Sequence, residues 1–108
     1  MRPKITKRPW GYFERFTLNE LSTVKIITVK PHERLSLQYH DKRAEFWKVL
    51  KGTARVTLGE TGKVALPGDT FFIKKREAHC LEALDNEVTF LEISFGDFSE
   101  NDIVRLNV

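Results

Sequence analysis

The apolar residues of this chain come in short runs closed by turn-forming residues, and no run keeps the period of a long helix. Tyr12 to Phe16 reads as a strand, as do Ser22 to Val29, Arg34 to His40, Glu45 to Leu50, Ala54 to Leu58, Lys63 to Leu66, Thr70 to Ile73, Cys80 to Ala83 and Glu87 to Phe95. Between them stand Pro31-His32-Glu33, Gly52, Gly59-Glu60-Thr61-Gly62 and Pro67-Gly68-Asp69, residue types that supply the backbone conformations of turns. Asp97 to Arg105 is acidic at its start and fits one helical turn. Eight or nine short strands predict an all-β sandwich or barrel.

One strand carries an unusual parity. In Arg34 to His40, Leu35 and Leu37 take one face, while Ser36, Gln38 and His40 take the other. A polar face opposite a packed one needs surroundings that tolerate polarity, and the lumen of a barrel holding a metal or ligand provides them. Gln38 and His40 are followed, after four intervening residues, by Glu45, and His79 stands further on. One amide oxygen, two imidazoles and one carboxylate suit a divalent ion: zinc foremost, with manganese, cobalt, iron or nickel as alternatives. A lone buried histidine is more often a satisfied core residue than a ligand. Here His40 and His79 are two of three histidines in the chain, and Glu45 has its own spacing from His40.

A length of 108 residues gives one domain, 1–108, and an apolar content of 41% is that of a globular protein. No apolar run approaches the roughly 20 residues that span a bilayer, and the basic start Met1 to Arg8 is not followed by the apolar stretch of a secretion signal. Cys80 has no second cysteine to pair with, which fits a cytoplasmic location. The net charge of +3 comes from 18 basic and 15 acidic residues dispersed along the chain. That dispersal argues against nucleic acid as a partner and fits a small anionic ligand.

These residues resemble a known family. Gln38 to Gly52 resembles the first cupin motif, with Gln38 in the slot usually held by its first histidine, and Gly68 to His79 resembles the second. Arg8-Pro9-Trp10-Gly11, Leu35-Ser36-Leu37-Gln38-Tyr39-His40, Arg43-Ala44-Glu45-Phe46-Trp47, Gly52-Thr53-Ala54-Arg55-Val56 and Asp102-Ile103-Val104-Arg105 occur in order. Together they are similar to the C-terminal domain of type II mannose-6-phosphate isomerases, which in many relatives follows a sugar-1-phosphate nucleotidyltransferase. Phe46 stands where relatives often have histidine.

The resemblance implies a cupin, that is a double-stranded β-helix or jelly-roll barrel, with Gln38, His40, Glu45 and His79 as metal ligands. It implies isomerisation of mannose-6-phosphate and fructose-6-phosphate or a close analogue. Other metal chemistry (an epimerase or oxygenase) and a non-catalytic sugar-binding module are the alternatives. Lys25, Arg43 and Arg105 are the candidate catalytic cations, and Lys42, Arg43 and Trp47 the candidate substrate contacts. Trp47 also reads as core, and Trp10 as a cap on the barrel or a dimer contact. Apolar residues on both faces of Val24 to Val29 and Val88 to Phe95 predict a homodimer, as small barrels bury limited surface alone. With the histidines and Glu45 given to metal, a metal-bound hydroxide and a lysine of depressed pKa are the alternatives for the base, and the sequence does not choose between them.

Overall fold

The computed structural model describes residues 3–106. Eleven strands follow in order: β1 (Lys4–Arg8), β2 (Gly11–Arg15), β3 (Ser22–Val29), β4 (Gln38–Tyr39), β5 (Glu45–Lys51), β6 (Ala54–Leu58), β7 (Thr61–Ala65), β8 (Thr70–Ile73), β9 (His79–Ala83), β10 (Val88–Phe95) and β11 (Val104–Arg105). No helix occurs among the described residues. One sheet has the order β3-β10-β5-β8, a second the order β11-β4-β9-β6-β7, and β1-β2 forms a separate hairpin. The two sheets enclose one core and form the expected all-β cupin barrel.

The core lies between the inner faces. On the first sheet Phe90 stands between Ile27 and Val49, and Val88 beside Val29. On the second, Val56 pairs with Leu81, and Ala54 lies between Ala65 and Ala83. The three alanines are fully or almost fully buried, and their small side chains let the sheets close over Trp47, Phe90 and Leu81. Burying each large side chain contributes roughly 1.5–3 kcal/mol.

Gly52 turns β5 into β6 at a φ of +84°, and a Cβ there would meet the Glu87 carbonyl oxygen at 2.2 Å. The glycine that ends the first motif is therefore required by both conformation and space.

Three sequence expectations change. The stretch Arg34 to His40 is not one strand: Arg34 makes a single bridge to Glu82, Leu35 N–H donates to the Leu81 carbonyl, and regular pairing resumes only at β4. Residues 97–105 form no helical turn. A tight turn, with Asp102 N–H on the Ser99 carbonyl, leads into β11, which is tied to β4 because that strand has a free edge. Finally, β1 has one apolar residue in Lys-Ile-Thr-Lys-Arg and no strand signal of its own; pairing with β2 makes it a strand. Trp10 lies at that hairpin's tip, 73% exposed, and does not cap the barrel.

The outer row of the first sheet is Val24–Ile93–Phe46–Phe72. Its middle is buried, and Phe16 packs on Phe46 with ring centroids 5.6 Å apart. The slot where relatives often carry histidine thus holds an outward-facing ring covered by the N-terminal segment.

Candidate metal centre

Three elements bring the donors together. Glu45 opens β5 and pairs with Ser94 of β10 and Ile73 of β8. His79 opens β9, and His40 follows β4 directly. All three are at most 3% exposed.

Their hydrogen bonds fix which nitrogen keeps its lone pair. His40 Nδ1 lies 2.6 Å from the Asp102 carbonyl oxygen, and His79 Nδ1 lies 2.8 Å from that of Glu77. A carbonyl only accepts, so each Nδ1 carries the hydrogen and each Nε2 keeps its lone pair. His40 Nε2 lies 3.4 Å from Glu45 Oε2, and His79 Nε2 lies 3.7 Å from Glu45 Oε1.

The His79 Nε2 atom is fully buried and has no hydrogen-bond partner. Burial pushes the His79 imidazole below its usual range, more than the Glu77 carbonyl and Glu45 raise it, so the ring is held in the neutral form that binds metal. Donor atoms of His40, Glu45 and His79 all lie within 4.8 Å of one another. Two donors about 2.1 Å from a shared ion stand roughly 3–3.5 Å apart. The Glu45 contacts at 3.4 and 3.7 Å lie near that separation, and the unpartnered His79 Nε2 and the N/O donor mix suit a divalent ion.

Gln38 stands directly opposite His79 across β4 and β9, so the two side chains share the inner face. Its Oε1 accepts a hydrogen bond from the Ser36 hydroxyl at 3.2 Å, and the residue is half-buried.

The candidate cations scatter. Arg43 is 7% exposed: its Nε donates to Glu45 Oε2 at 3.0 Å, one Nη donates to the Ser99 carbonyl at 3.0 Å, and the other donates to His40 Nε2 at 3.4 Å. Lys42 is exposed, and its backbone N–H donates to Asp102 Oδ2 at 3.2 Å. It borders a cleft of about 230 Å³ shared with Asp41, Ser99 and Asp102. Lys25 lies on the edge strand β3, with Nζ 3.2 Å from Glu100 and 4.4 Å from the Phe98 ring centre. Arg105 pairs with Gln38 and is exposed.

Trp47, a candidate substrate contact, is 1% exposed and offers no ring face to a sugar. It packs on Phe90 and edge-on against His79, and its indole N–H donates to Glu45 Oε1 at 3.2 Å. Its place is in the core, where it helps to orient the Glu45 carboxylate. Cys80 faces away from the centre, and its Sγ donates to the Leu35 carbonyl.

Two participants escaped the sequence reading. Asp102 secures the centre from the C-terminal strap: its carbonyl receives His40 Nδ1, and its carboxylate receives the backbone N–H groups of Asp41 and Lys42. Glu92 is the second. It lies on β10 between Lys25 and Trp47 and is 7% exposed. Burial and then the nearby Glu45 push its carboxyl up to about 7, against the opposing pull of Lys25, Arg43 and the Trp47 indole. Parity alone could have found it. In Val88 to Phe95, Glu92 alternates with Phe90 and Ser94, so a carboxylate among core positions was visible.

The sheets and the donor cluster define a cupin domain with a His–Glu–His site suited to a divalent ion. Residues 3–108 match the family described as mannose-6-phosphate isomerase C-terminal, and the chain belongs to that family. Among its relatives, mannose-1-phosphate guanylyltransferase 2 of Escherichia coli O157:H7 is 42% identical over 91% of this chain, which covers 21% of the relative. The xanthan biosynthesis protein XanB of Xanthomonas campestris is 38% identical over the same shares. The chain thus spans about one fifth of the length of these curated relatives.

Among solved structures, oxalate decarboxylase from Bacillus subtilis superposes with a TM-score of 0.74 at 27% identity, covering 81% of this chain and 24% of that one. A cupin-superfamily sugar phosphate isomerase from Silicibacter pomeroyi gives 0.66 at 20% identity, covering 74% and 53%, a likeness of fold.

Proposed function

We propose that this domain is a metal-dependent sugar-phosphate isomerase, interconverting mannose-6-phosphate and fructose-6-phosphate or a close analogue. The observation that carries the reading is the buried, unpartnered His79 Nε2 facing Glu45 and His40, in a chain of the mannose-6-phosphate isomerase C-terminal family. His40, Glu45 and His79 would hold the divalent ion, zinc first among the candidates, and it would supply Lewis acidity to the reacting oxygens of the sugar.

The chain's own groups do the rest. His40 and His79 present neutral nitrogens, and Glu45 offsets part of the ion's charge. Arg43 and Trp47 hold that carboxylate in orientation. Lys25, Lys42 and Arg105 reach solvent and are the cations available to a phosphate. No helix among the described residues is long and apolar enough to cross a membrane, and a phosphorylated metabolite as substrate fits action in the cytoplasm.

The test is conversion of mannose-6-phosphate to fructose-6-phosphate with zinc, manganese, cobalt, iron or nickel added. Turnover that requires metal and disappears in His79→Ala supports the reading. A second reading, a sugar-binding module, is favoured by the relatives named as guanylyltransferases, of which this chain matches one fifth. It would show as calorimetric binding of mannose-6-phosphate without turnover under every metal.

The reading includes a homodimer. Val24 and Ile26, on the outer face of edge strand β3, are 57% and 66% exposed, an apolar edge that a second copy would cover. Light scattering at micromolar concentration should give twice the 12.6 kDa chain mass; a monomer removes this part.

A further inference from the structure

Isomerisation of an aldose to a ketose moves one hydrogen from C2 to C1, and the site needs a group to carry it. The inner face around the centre has few groups free to do so. His40, Glu45 and His79 are committed to the ion. Arg43 is held by Glu45 and Ser99. Lys25 is held by Glu100 and lies over Phe98. Glu92 remains: no ion pair engages its carboxylate among the described residues, and no hydrogen bond ties it to His40, Glu45 or His79.

The position of Glu92 suits the task. The cross-strand row Lys25–Glu92–Trp47 runs from the sheet edge, where the Lys25 side chain is 37% exposed, to the wall of the metal centre. Glu45 is the diagonal neighbour of Glu92 across the β5–β10 ladder, through the pair Ser94–Glu45. Such diagonal neighbours lie about 7–8 Å apart in backbone and less at their side-chain tips. Glu92 thus stands one same-face residue pair along the ladder from a candidate ligand, on the inner face.

We propose that Glu92 is the catalytic residue that carries this proton, and the proposal rests on the isomerase reading. The Glu92 carboxylate takes the C2 proton. The C2–H electron pair becomes the C1–C2 double bond, and the C1 carbonyl π pair moves to O1. The O2 hydroxyl proton passes to O1. Glu92, now a carboxylic acid, returns its proton to C1, and O2 is left as the ketone oxygen. No oxidant or other reactant is needed.

The groups facing Glu92 are Lys25 from β3, Trp47 and Glu45 from β5, and Arg43 from the loop before β5.

The experiment compares wild type, Glu92→Gln and Glu92→Asp in metal-loaded form. It reads kcat, KM, bound metal by elemental analysis, and deuterium exchange into sugar carbon in D2O. In Glu92→Gln we expect kcat to fall by about 100-fold or more, with metal stoichiometry unchanged and exchange abolished. Glu92→Asp, which keeps a carboxylate set back by one methylene, should lose about tenfold in kcat and retain exchange. If Glu92→Gln does not fold, Glu92→Asp decides, and wild-type kcat there overturns the proposal. Glu92→Gln within threefold of wild-type kcat overturns it and leaves the isomerase reading intact. A wild type that turns over no sugar phosphate with any metal overturns both.

Discussion

The two ends of the barrel interior are built from the same strands in opposite chemistries. At one end β10, β3 and β5 contribute Val88, Val29, Phe90, Ile27 and Val49. Toward the other end the same three strands contribute Glu92, Lys25, Ser94, Thr23 and Glu45. The first end is dry and apolar, and its burial stabilises the fold. The second holds two carboxylates, two histidines and an arginine, nearly all withdrawn from water. Buried charge of that kind costs stability unless it is paired or bound to metal. The apolar end supplies the cohesion that lets the polar end exist. Substitutions at the two ends should therefore separate stability from metal binding.

The largest effect is expected at the apolar end. Phe90 is fully buried, packs on Trp47 with ring centroids 4.9 Å apart and stands between Ile27 and Val49. Phe90→Ala should destabilise by about 3–5 kcal/mol, read by urea unfolding of the metal-free protein. A loss below about 1 kcal/mol would mean that this end does not carry the fold.

At the polar end the order reverses. His79→Ala removes a buried nitrogen that has no partner in the chain, so metal affinity should drop by at least about 100-fold, the cost of one strong ligand. His40→Ala should do the same. Stability of the metal-free protein should change by less than half of the Phe90→Ala loss. Competition against a chromogenic chelator measures the first quantity and urea unfolding the second. Wild-type metal affinity in either variant removes that residue from the ligand set.

The contrast between the ends also explains what the sequence could tell. The donors His40, Glu45 and His79 were legible because motif spacing records which residues a barrel brings together. The barrel itself was legible from short apolar runs and turn residues. Arg43 was named as a candidate cation, but spacing gives no burial: two residues from Glu45 in sequence, it folds inward onto that carboxylate. Asp102 was read as part of a motif without a role, because its contacts with His40, Asp41 and Lys42 span about sixty residues of sequence. Residues 97–105 were read as a helical turn because their composition could not register the free edge of β4.

The smallest effect concerns pH and sets two members of the polar end against each other. The Glu92 carboxyl is raised from 4.5 to about 7 in the folded protein. The folded state therefore holds a proton that the unfolded state has released, and this contribution is present below about pH 4.5 and lost as pH rises toward 7. His79 is lowered from 6.5. Its unfolded form binds the proton more readily, so its contribution is present above pH 6.5 and lost as pH falls through its depressed folded value.

The two slopes oppose between about pH 4.5 and 6.5, and the metal-free protein should be most stable in that window. Glu92→Gln keeps the shape of the protonated acid and removes the falling limb. Relative to wild type it should gain roughly 1–3 kcal/mol at pH 8 and almost nothing at pH 4, with one pKa unit worth about 1.4 kcal/mol. Urea unfolding of both proteins at pH 4, 6 and 8, with chelator present, gives the comparison. An equal difference at all three pH values would show that Glu92 does not titrate differently in the folded and unfolded states. The strain assigned to the polar end would then rest on the histidines and Glu45 alone.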